Sequence, residues 1–180
     1  MKLLIASDLH GSAYYCRALL DAFEREQADR LILLGDLLYH GPRNPLPKEY
    51  DTFAVTAMLN GIADRLLCVR GNCDSEVDQM VLQFPVLAEY AFLNADGVDI
   101  FATHGHNYGP DKLPPLKAGD CLLCGHIHLP VCRQMGEITY LNPGSLSLPK
   151  ENTPHSYMTL EDGRFSWHEL ESGETFQPLP

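Results

Sequence analysis

The sequence repeats one pattern, a short apolar run that ends just before side chains able to bind a metal ion. The runs KLLIAS, RLILL, RLLCVR, VDIFAT and CLLC are followed by Asp8 and His10, Asp36, Asn72, His104, and His126 with His128. Apolar runs of this length, bounded by turn residues, are typical of buried β-strands. Because each run ends at a donor, we expect one edge of the folded sheets to gather carboxylate, amide and imidazole groups fit for two metal ions.

The order of the runs predicts the fold class. In the first half, strand candidates alternate with helix candidates, which favours parallel strands with covering helices. The strands are predicted at Lys2 to Ser7, Arg30 to Leu34 and Arg65 to Arg70, and the helices after Ser12 and from Tyr50 to Ala63. The second half carries strand candidates with little helix between them: Val98 to Thr103, Cys121 to Cys124, Ile138 to Leu141, Tyr157 to Leu160 and Phe165 to Leu170. We therefore expect an α/β (α+β) protein of one domain, residues 1–180, with two sheets packed face to face and helices outside.

Turn residues separate these runs. Asp96-Gly97 and Asp162-Gly163 predict hairpin turns. Two proline-bearing stretches, Gly41 to Pro47 and Gly109 to Pro115, are too interrupted for a helix or a central strand. Each closely follows a candidate ligand, so we expect both to form walls of the site.

Charge and composition exclude several classes of protein. The chain has 24 Asp and Glu against 13 Lys and Arg, a net charge of -11, and no basic run. A groove for nucleic acid draws most of its affinity from cations, so none is expected, and phosphate chemistry would require bound metal ions. No stretch is long and apolar enough for a signal peptide or a membrane span, so we expect no membrane contact. The 6 cysteines lack the spacing of a disulfide framework, and together these features predict a cytoplasmic protein.

The five motifs DLH, GD, GNCD, THGH and GHIH are weak signals separately. DLH is commoner as a polar strand end, GD and GNCD as turns, and isolated histidines as ordinary polar residues. Together they indicate a metal centre, and their hard and borderline donors suit Mn²⁺, Fe, Zn or Ni. We interpret Cys121 and Cys124 as two buried strand thiols, since a strand turns residues three apart to opposite faces.

Taken in order, these motifs resemble the series found in the calcineurin-like metallophosphoesterases, with GNCD, GDLLYHGPRN and the later NPGS closest to those of small bacterial phosphodiesterases. The resemblance implies a four-layer αββα sandwich of two mixed β-sheets flanked by helices, of the metallo-dependent phosphatase type. It also implies the ligand sets: Asp8, His10 and His128 for one ion, Asn72, His104 and His126 for the other, and Asp36 bridging both.

The same resemblance implies an activity. Two divalent ions, with Mn²⁺ the expected metal, would share a hydroxide that attacks a small phosphodiester, while His104 or His106 stabilises charge on the phosphate oxygens. The chain departs from many relatives at Cys73, which stands where they have a histidine that helps to protonate the leaving group; Cys73 is interpreted either as a spacer or as a weak acid.

Several residues near the motifs are further candidates. His40 and Arg43 are predicted to contact substrate, as is Asn72, and Asp74 is a catalytic candidate that orients neighbouring donors. Two alternatives stay open: a phosphomonoesterase or protein phosphatase with the same centre, and a protein-binding scaffold without catalysis. The apolar stretch from Val86 to Leu93 predicts either a contact between copies of the chain or an inner sheet.

Overall fold

The computed structural model describes all residues, 1–180. Its α-helices are α1 (Ala13–Arg25), α2 (Thr52–Asn60) and α3 (Glu76–Val81), and a short 3-10 helix spans Ala63–Arg65. The strands are β1 (Leu3–Ala6), β2 (Arg30–Leu33), β3 (Leu66–Cys68), β4 (Tyr90–Ala95), β5 (Val98–Thr103), β6 (Cys121–Leu123), β7 (Pro130–Met135), β8 (Ile138–Pro143), β9 (Ser156–Glu161), β10 (Arg164–Glu169) and β11 (Thr175–Phe176).

The first sheet has six strands in the order β11-β10-β9-β1-β2-β3. Strands β1, β2 and β3 are parallel, as predicted from the alternation of strands and helices, because α1 and α2 return the chain to the same end of the sheet. Strands β9, β10 and β11 extend the sheet in antiparallel fashion. The predicted Asp162-Gly163 turn joins β9 to β10 with positive φ at both residues, 50° and 73°.

The second sheet has five strands in the order β4-β5-β6-β8-β7. Strands β5, β6 and β8 are parallel, and β4 and β7 are antiparallel edge strands, so both sheets are mixed. The predicted Asp96-Gly97 turn joins β4 to β5. The expected pair of stacked mixed sheets is therefore confirmed.

Three apolar layers hold the molecule together. One core lies between the sheets and includes Ile5, Ile32, Ile100 and Leu123. A second and larger core packs α1 and α2 against the outer face of the six-stranded sheet. Full burial of such aliphatic side chains contributes roughly 1.5–3 kcal/mol each, so these two layers fix how the strand ends meet.

The outer face of the five-stranded sheet is covered differently. Its buried Phe101, Leu122 and Tyr140 pack against Leu116 and Leu129, which belong to irregular segments rather than to a helix. Helices therefore flank the six-stranded sheet only, and the proline-bearing chain before β6 contributes to the fourth layer.

The helix boundaries follow from their caps. Helix α1 begins after Ser12, whose Oγ accepts a hydrogen bond from the Tyr15 N–H at 3.2 Å, and α2 begins after Asp51, which caps Ala54 N–H at 3.0 Å. Helix α2 is shorter than the predicted Tyr50 to Ala63 segment. Helix α3, with a capping box at Ser75, was not predicted because its single turn and a half carries no apolar periodicity.

Of the stretch from Val86 to Leu93, residues 90–93 belong to β4, the edge strand of the five-stranded sheet. Val86 is fully buried, and alternate residues of β4 face the core between the sheets, while Tyr90 and Phe92 face outward and are more than half exposed. A contact between copies of the chain at this edge stays a prediction. No helix in the structure combines the length and apolar character that crossing a bilayer requires.

Candidate metal centre

The parallel strands of both sheets end at one edge of the molecule, and the motif residues meet there. Asp8 and His10 follow β1, Asp36 follows β2 and Asn72 follows β3, whereas His104 follows β5 and His126 and His128 follow β6. The carboxyl ends of parallel strands are the usual place for ligand sites in α/β folds. The two sheets are joined here by a hydrogen bond of 3.0 Å from the His126 N–H to Asp8 Oδ2.

The backbone of the site is strained. Five of the residues have positive φ, a conformation that L-residues adopt rarely: Asp8 (59°), His10 (51°), Asp36 (56°), His126 (70°) and His128 (62°). Strand β1 ends at Ala6, so Asp8 and His10 do not project together as alternate residues of an extended strand. Left-handed turns, not strand alternation, direct these side chains toward one another.

Close backbone packing makes these turns possible. Glycine is required where the β2 and β3 ends meet, because a Cβ on Gly71 would lie 2.1 Å from Asp36 Oδ1. Ser145 of the NPGS motif and Ser147, two residues further on, support the Asp8 turn, because their hydroxyls both donate to the Asp8 carbonyl, at 2.9 and 3.0 Å.

Asp8, His10 and His128 form one buried group. Asp8 Oδ1 lies 3.2 Å from His128 Nε2 and 3.6 Å from His10 Nε2, and the two Nε2 atoms are 3.3 Å apart. Asp8 Oδ1 is buried and has no hydrogen-bond donor. A buried carboxylate oxygen without a partner is costly, and a cation among these three atoms would satisfy it.

Asp36, Asn72, His104 and His126 form the adjoining group. His104 Nε2 lies 3.1 Å from Asn72 Oδ1, 3.2 Å from His126 Nδ1 and 3.5 Å from Asp36 Oδ2. Asp36 Oδ2 also lies 3.7 Å from His10 Nε2, so this carboxylate touches both groups. Every motif residue predicted to bind metal thus reaches the same cluster.

Backbone carbonyls fix the tautomers of three imidazoles. The Nδ1 atoms of His10, His104 and His128 lie 2.9, 2.6 and 2.7 Å from the carbonyl oxygens of Tyr39, Leu34 and Leu148. A carbonyl can only accept, so each Nδ1 carries a proton, and each Nε2 faces the cluster as the atom that can bind a metal ion once it is deprotonated. This arrangement is the usual support of a metal-binding histidine.

Charge and burial oppose one another at these groups. Burial raises the pKa of Asp8, but the contacts with His10 and His128 outweigh it and hold that pKa well below its usual value. Burial lowers the pKa of His104, yet the contact with Asp36 outweighs it and raises the pKa to about 9. Burial and the neighbouring His104 lower the pKa of His126 to about 4, so His126 is neutral and free to bind metal. The donor set therefore fits divalent cations.

Asp74 lies behind the cluster rather than in it. Its carboxylate accepts hydrogen bonds from the backbone N–H groups of Asp36 (2.8 Å), Leu37 (2.9 Å) and Gly71 (2.7 Å), and burial raises its pKa. This side chain joins the end of β2 to the end of β3. Its contacts are those of a positioning residue.

Cys73 lies beside the cluster. Its N–H donates to Asp36 Oδ1 at 2.8 Å, and Sγ is close enough to His10 and Asp36 to share an ion with them. Burial and the charge of Asp36 raise the pKa of the thiol to about 12, so the thiol is protonated in this environment.

A polar cleft opens above the cluster, with a volume of about 450 Å³. Arg43 and the predicted proline loop line it, together with Asn72, Cys73 and Lys150. His40 is not among the lining residues: its ring packs edge-on against Tyr39 and Tyr50 at 4.9 and 5.3 Å, and a substrate contact of His40 stays a prediction. Lys150 was missed, although it follows the NPGS motif closely and its N–H donates to the His128 carbonyl at 3.2 Å.

His106 lies on the other side of His104. The two ring centroids are 5.4 Å apart, Nδ1 of His106 is buried without a partner, and burial together with His104 lowers the pKa of this imidazole. His106 is thus a neutral imidazole next to the cluster rather than one of its close donors.

Comparisons with known proteins agree with this geometry. Residues 1–162 match the calcineurin-like phosphoesterase superfamily domain. The chain is 48% identical over 162 residues to the phosphodiesterase YfcE of Escherichia coli K12, covering 90% of this chain and 88% of that protein. The solved structure of E. coli YfcE, a phosphoesterase, superimposes with a TM-score of 0.95 at 45% identity, covering 99% of this chain and 98% of the other.

A more distant structure shares the fold alone. Wild-type Vps29 of Entamoeba histolytica, complexed with Zn²⁺, has a TM-score of 0.60 at 20% identity and covers 98% of this chain and 96% of its own. Three findings lead to the same family: the extent of the domain match, the identity to YfcE and the convergence of the motif residues. The chain belongs to the calcineurin-like phosphoesterase superfamily.

Proposed function

We propose that this protein is a phosphodiesterase that hydrolyses small phosphate diesters with two divalent metal ions. The observation that carries the proposal is the convergence of the motif side chains around Asp8 Oδ1, a buried carboxylate oxygen that has no hydrogen-bond donor. The similarity to a protein named phosphodiesterase supports the choice of diesters.

The two groups of donors suggest how the ions are shared. Asp8, His10 and His128 would hold one ion, and Asn72, His104 and His126 the other. Asp36 would contact both, because its Oδ2 lies within 3.7 Å of His10 Nε2 and 3.5 Å of His104 Nε2. Mn²⁺ is the proposed metal, since carboxylate, amide and imidazole donors suit it.

When bound, two divalent cations neutralise phosphate charge and lower the pKa of the water that attacks phosphorus. The residues of the chain do the rest. Arg43 and Lys150 line the cleft and supply positive charge for the non-bridging phosphate oxygens. Asn72 also lines the cleft, where its amide can contact substrate. His106, which is neutral, lies beside His104 and can stabilise charge on a phosphate oxygen.

The leaving group requires a proton, and Cys73 is the thiol that lines the cleft. Because its pKa is raised to about 12, it is a weak acid, and it assists departure of the leaving oxygen little. We therefore propose that acidic leaving groups such as phenols are favoured. Asp74 contributes by holding Asp36 and Gly71 in place.

The cytoplasm is the proposed location. All cysteines are free thiols, and Cys16, Cys68, Cys121 and Cys124 are buried, as in proteins of reducing compartments. Cys121 faces the core between the sheets and Cys124 the outer layer, so the CxxC pair offers no joint metal site.

The test is hydrolysis by metal-stripped protein supplied with single metals. We expect Mn²⁺ to restore cleavage of bis(p-nitrophenyl) phosphate above that of p-nitrophenyl phosphate, and Asp36→Asn to lose more than about 100-fold of it. Asp21→Asn, a change at an exposed carboxylate of α1, is the matched control and should behave as the native protein. Preference for the monoester would indicate a phosphomonoesterase, and inactivity with two metals bound would indicate a scaffold.

A further inference from the structure

A second cavity, of about 600 Å³, adjoins the polar cleft. His126 and Ile127 line both spaces, and His106 lines the second one. We call this second space the aromatic cavity; its ring and aliphatic walls are Tyr108, Leu129, Val131, Tyr140 and Leu179. The proposed metal centre therefore borders two separate spaces, one on each side of His126.

Tyr108 gives the aromatic cavity its accessible ring, because Tyr140, which backs the wall, is only 2% exposed. Tyr140 is buried in β8, and Tyr108 is half-buried, with its ring edge-on to Phe101 at 6.1 Å. Tyrosine rings held in place by packing bind a planar ring by offset stacking or by edge-to-face contact. The cleft on the other side of His126 is lined by no aromatic ring except the imidazoles.

The end of the chain forms one wall of this cavity. The Cys132 N–H donates to the Leu179 carbonyl, and the Leu179 N–H donates to the Pro130 carbonyl, both at 2.9 Å. This pairing holds Leu179 where it lines the cavity. The wall lies beyond residues 1–162, which match the family domain.

Two cations lie over the aromatic walls. Lys112 Nζ is 5.4 Å from the Tyr108 ring centroid, and Arg133 Cζ is 5.6 Å from that of Tyr140. Asp111 also lines the cavity, but the cations reduce the repulsion that a protein of net charge -11 exerts on an anionic diester. An arginine beside a tyrosine also adds a stacking surface for a ring.

We propose that the aromatic cavity receives an aromatic ring on one ester arm of the diester, so that this protein selects aryl or nucleobase-bearing substrates. The inference rests on the proposed function. The cleft is lined by Arg43 and Lys150 and by no aromatic ring except imidazoles, whereas Tyr108 lines the aromatic cavity, so the retained aryl arm lies in the cavity and the leaving arm in the cleft.

The test compares two substrates with the same leaving group. Phenyl p-nitrophenyl phosphate and methyl p-nitrophenyl phosphate both release p-nitrophenolate, and their alkaline hydrolysis rates correct for intrinsic reactivity. We expect the corrected kcat/KM to favour the phenyl ester at least about fivefold in the Mn²⁺-loaded protein, the size of one aromatic contact. Tyr108→Ala should bring this ratio close to one.

Two further variants complete the design. Tyr90→Ala is the matched control, because Tyr90 also stacks on Phe101, at 4.8 Å, but lies outside the cavity; it should keep the preference. Leu179→Trp fills the cavity from the partly exposed end of the chain and should also abolish the preference. A native ratio near one, or a ratio that survives both Tyr108→Ala and Leu179→Trp, would overturn the inference.

A different result would overturn the proposed function instead. If neither ester is cleaved, equilibrium binding of phenylphosphonate and methylphosphonate decides the question of the cavity. Tighter binding of phenylphosphonate that depends on Tyr108 supports the aromatic cavity, and equal binding refutes it. Supplying a diester with an adenine-bearing retained arm then separates nucleobases from simple aryl groups.

Discussion

Replacing Asp74 with asparagine should destabilise the protein without removing any predicted metal donor. The carboxylate accepts three backbone N–H groups, two at Oδ2 and one at Oδ1. Asparagine keeps one acceptor oxygen and places an NH₂ group against the third N–H. Because a hydrogen bond to a charged acceptor contributes roughly 1.5–3 kcal/mol, losing one and weakening two would cost about 2–4 kcal/mol. Burial, which raises the pKa of Asp74, makes the charge less favourable and brings the expected loss to about 2 kcal/mol.

The assay is urea denaturation with a chelator present, so that metal binding does not contribute to the free energy of unfolding. Asp120→Asn is the matched control: Asp120 is also buried, at 3% exposure, but accepts a single backbone N–H, from Lys117 at 3.0 Å, at the start of β6. It should cost less than about 1 kcal/mol. If Asp74→Asn keeps native stability and loses activity, Asp74 acts in the chemistry and the positioning role is wrong.

Three further predictions concern acid assistance, pH and packing. Because the pKa of Cys73 is raised to about 12, rates should fall steeply as the leaving-group pKa rises from aryl to alkyl diesters, and a flat Brønsted plot with chemistry rate-limiting would contradict this. The pKa of His104 is raised to about 9 without metal, so protonated His104 stabilises the metal-free protein fully below the unfolded pKa of about 6.5, and this effect is lost as pH rises through 9. Thermal denaturation should therefore show a larger gain in stability from Mn²⁺ at pH 8.5 than at pH 6.5. A smaller gain at pH 8.5 would refute this reasoning. Gly125→Ala should lower metal affinity in calorimetric titrations, because its Cβ would lie 1.9 Å from Ser7 Oγ and 2.9 Å from Asp8 Oδ2, whereas Gly61→Ala, at a right-handed φ of -63°, should match the native protein.

The strand pattern could be predicted because apolar runs and turn residues are local signals. The β1 to β3 alternation, both Asp-Gly hairpins and the gathering of donors at one edge follow from such signals. Strands β7 and β11 were missed, since their polar and exposed residues reflect edge positions that depend on which neighbours the fold supplies.

Details of the site were harder to predict, because they depend on backbone turns and distant contacts. Asp8 and His128 have a left-handed φ that residue type alone does not determine, since Asp and His adopt it only in a minority of cases. Likewise, His40 is much closer to Asp36 along the chain than Lys150 is, yet Lys150 lines the cleft and His40 does not. Proximity along a loop does not determine which side of it faces the site.

The central claim is that two divalent ions bind within the cluster around Asp36. Anomalous diffraction from crystals grown with Mn²⁺, recorded on both sides of the manganese absorption edge, tests it most directly. We predict two peaks roughly 3.5–4 Å apart, one beside Asp8, His10 and His128 and one beside Asn72, His104 and His126, with Asp36 between them. No peak, a single peak, or manganese bound away from Asp36 would contradict the claim.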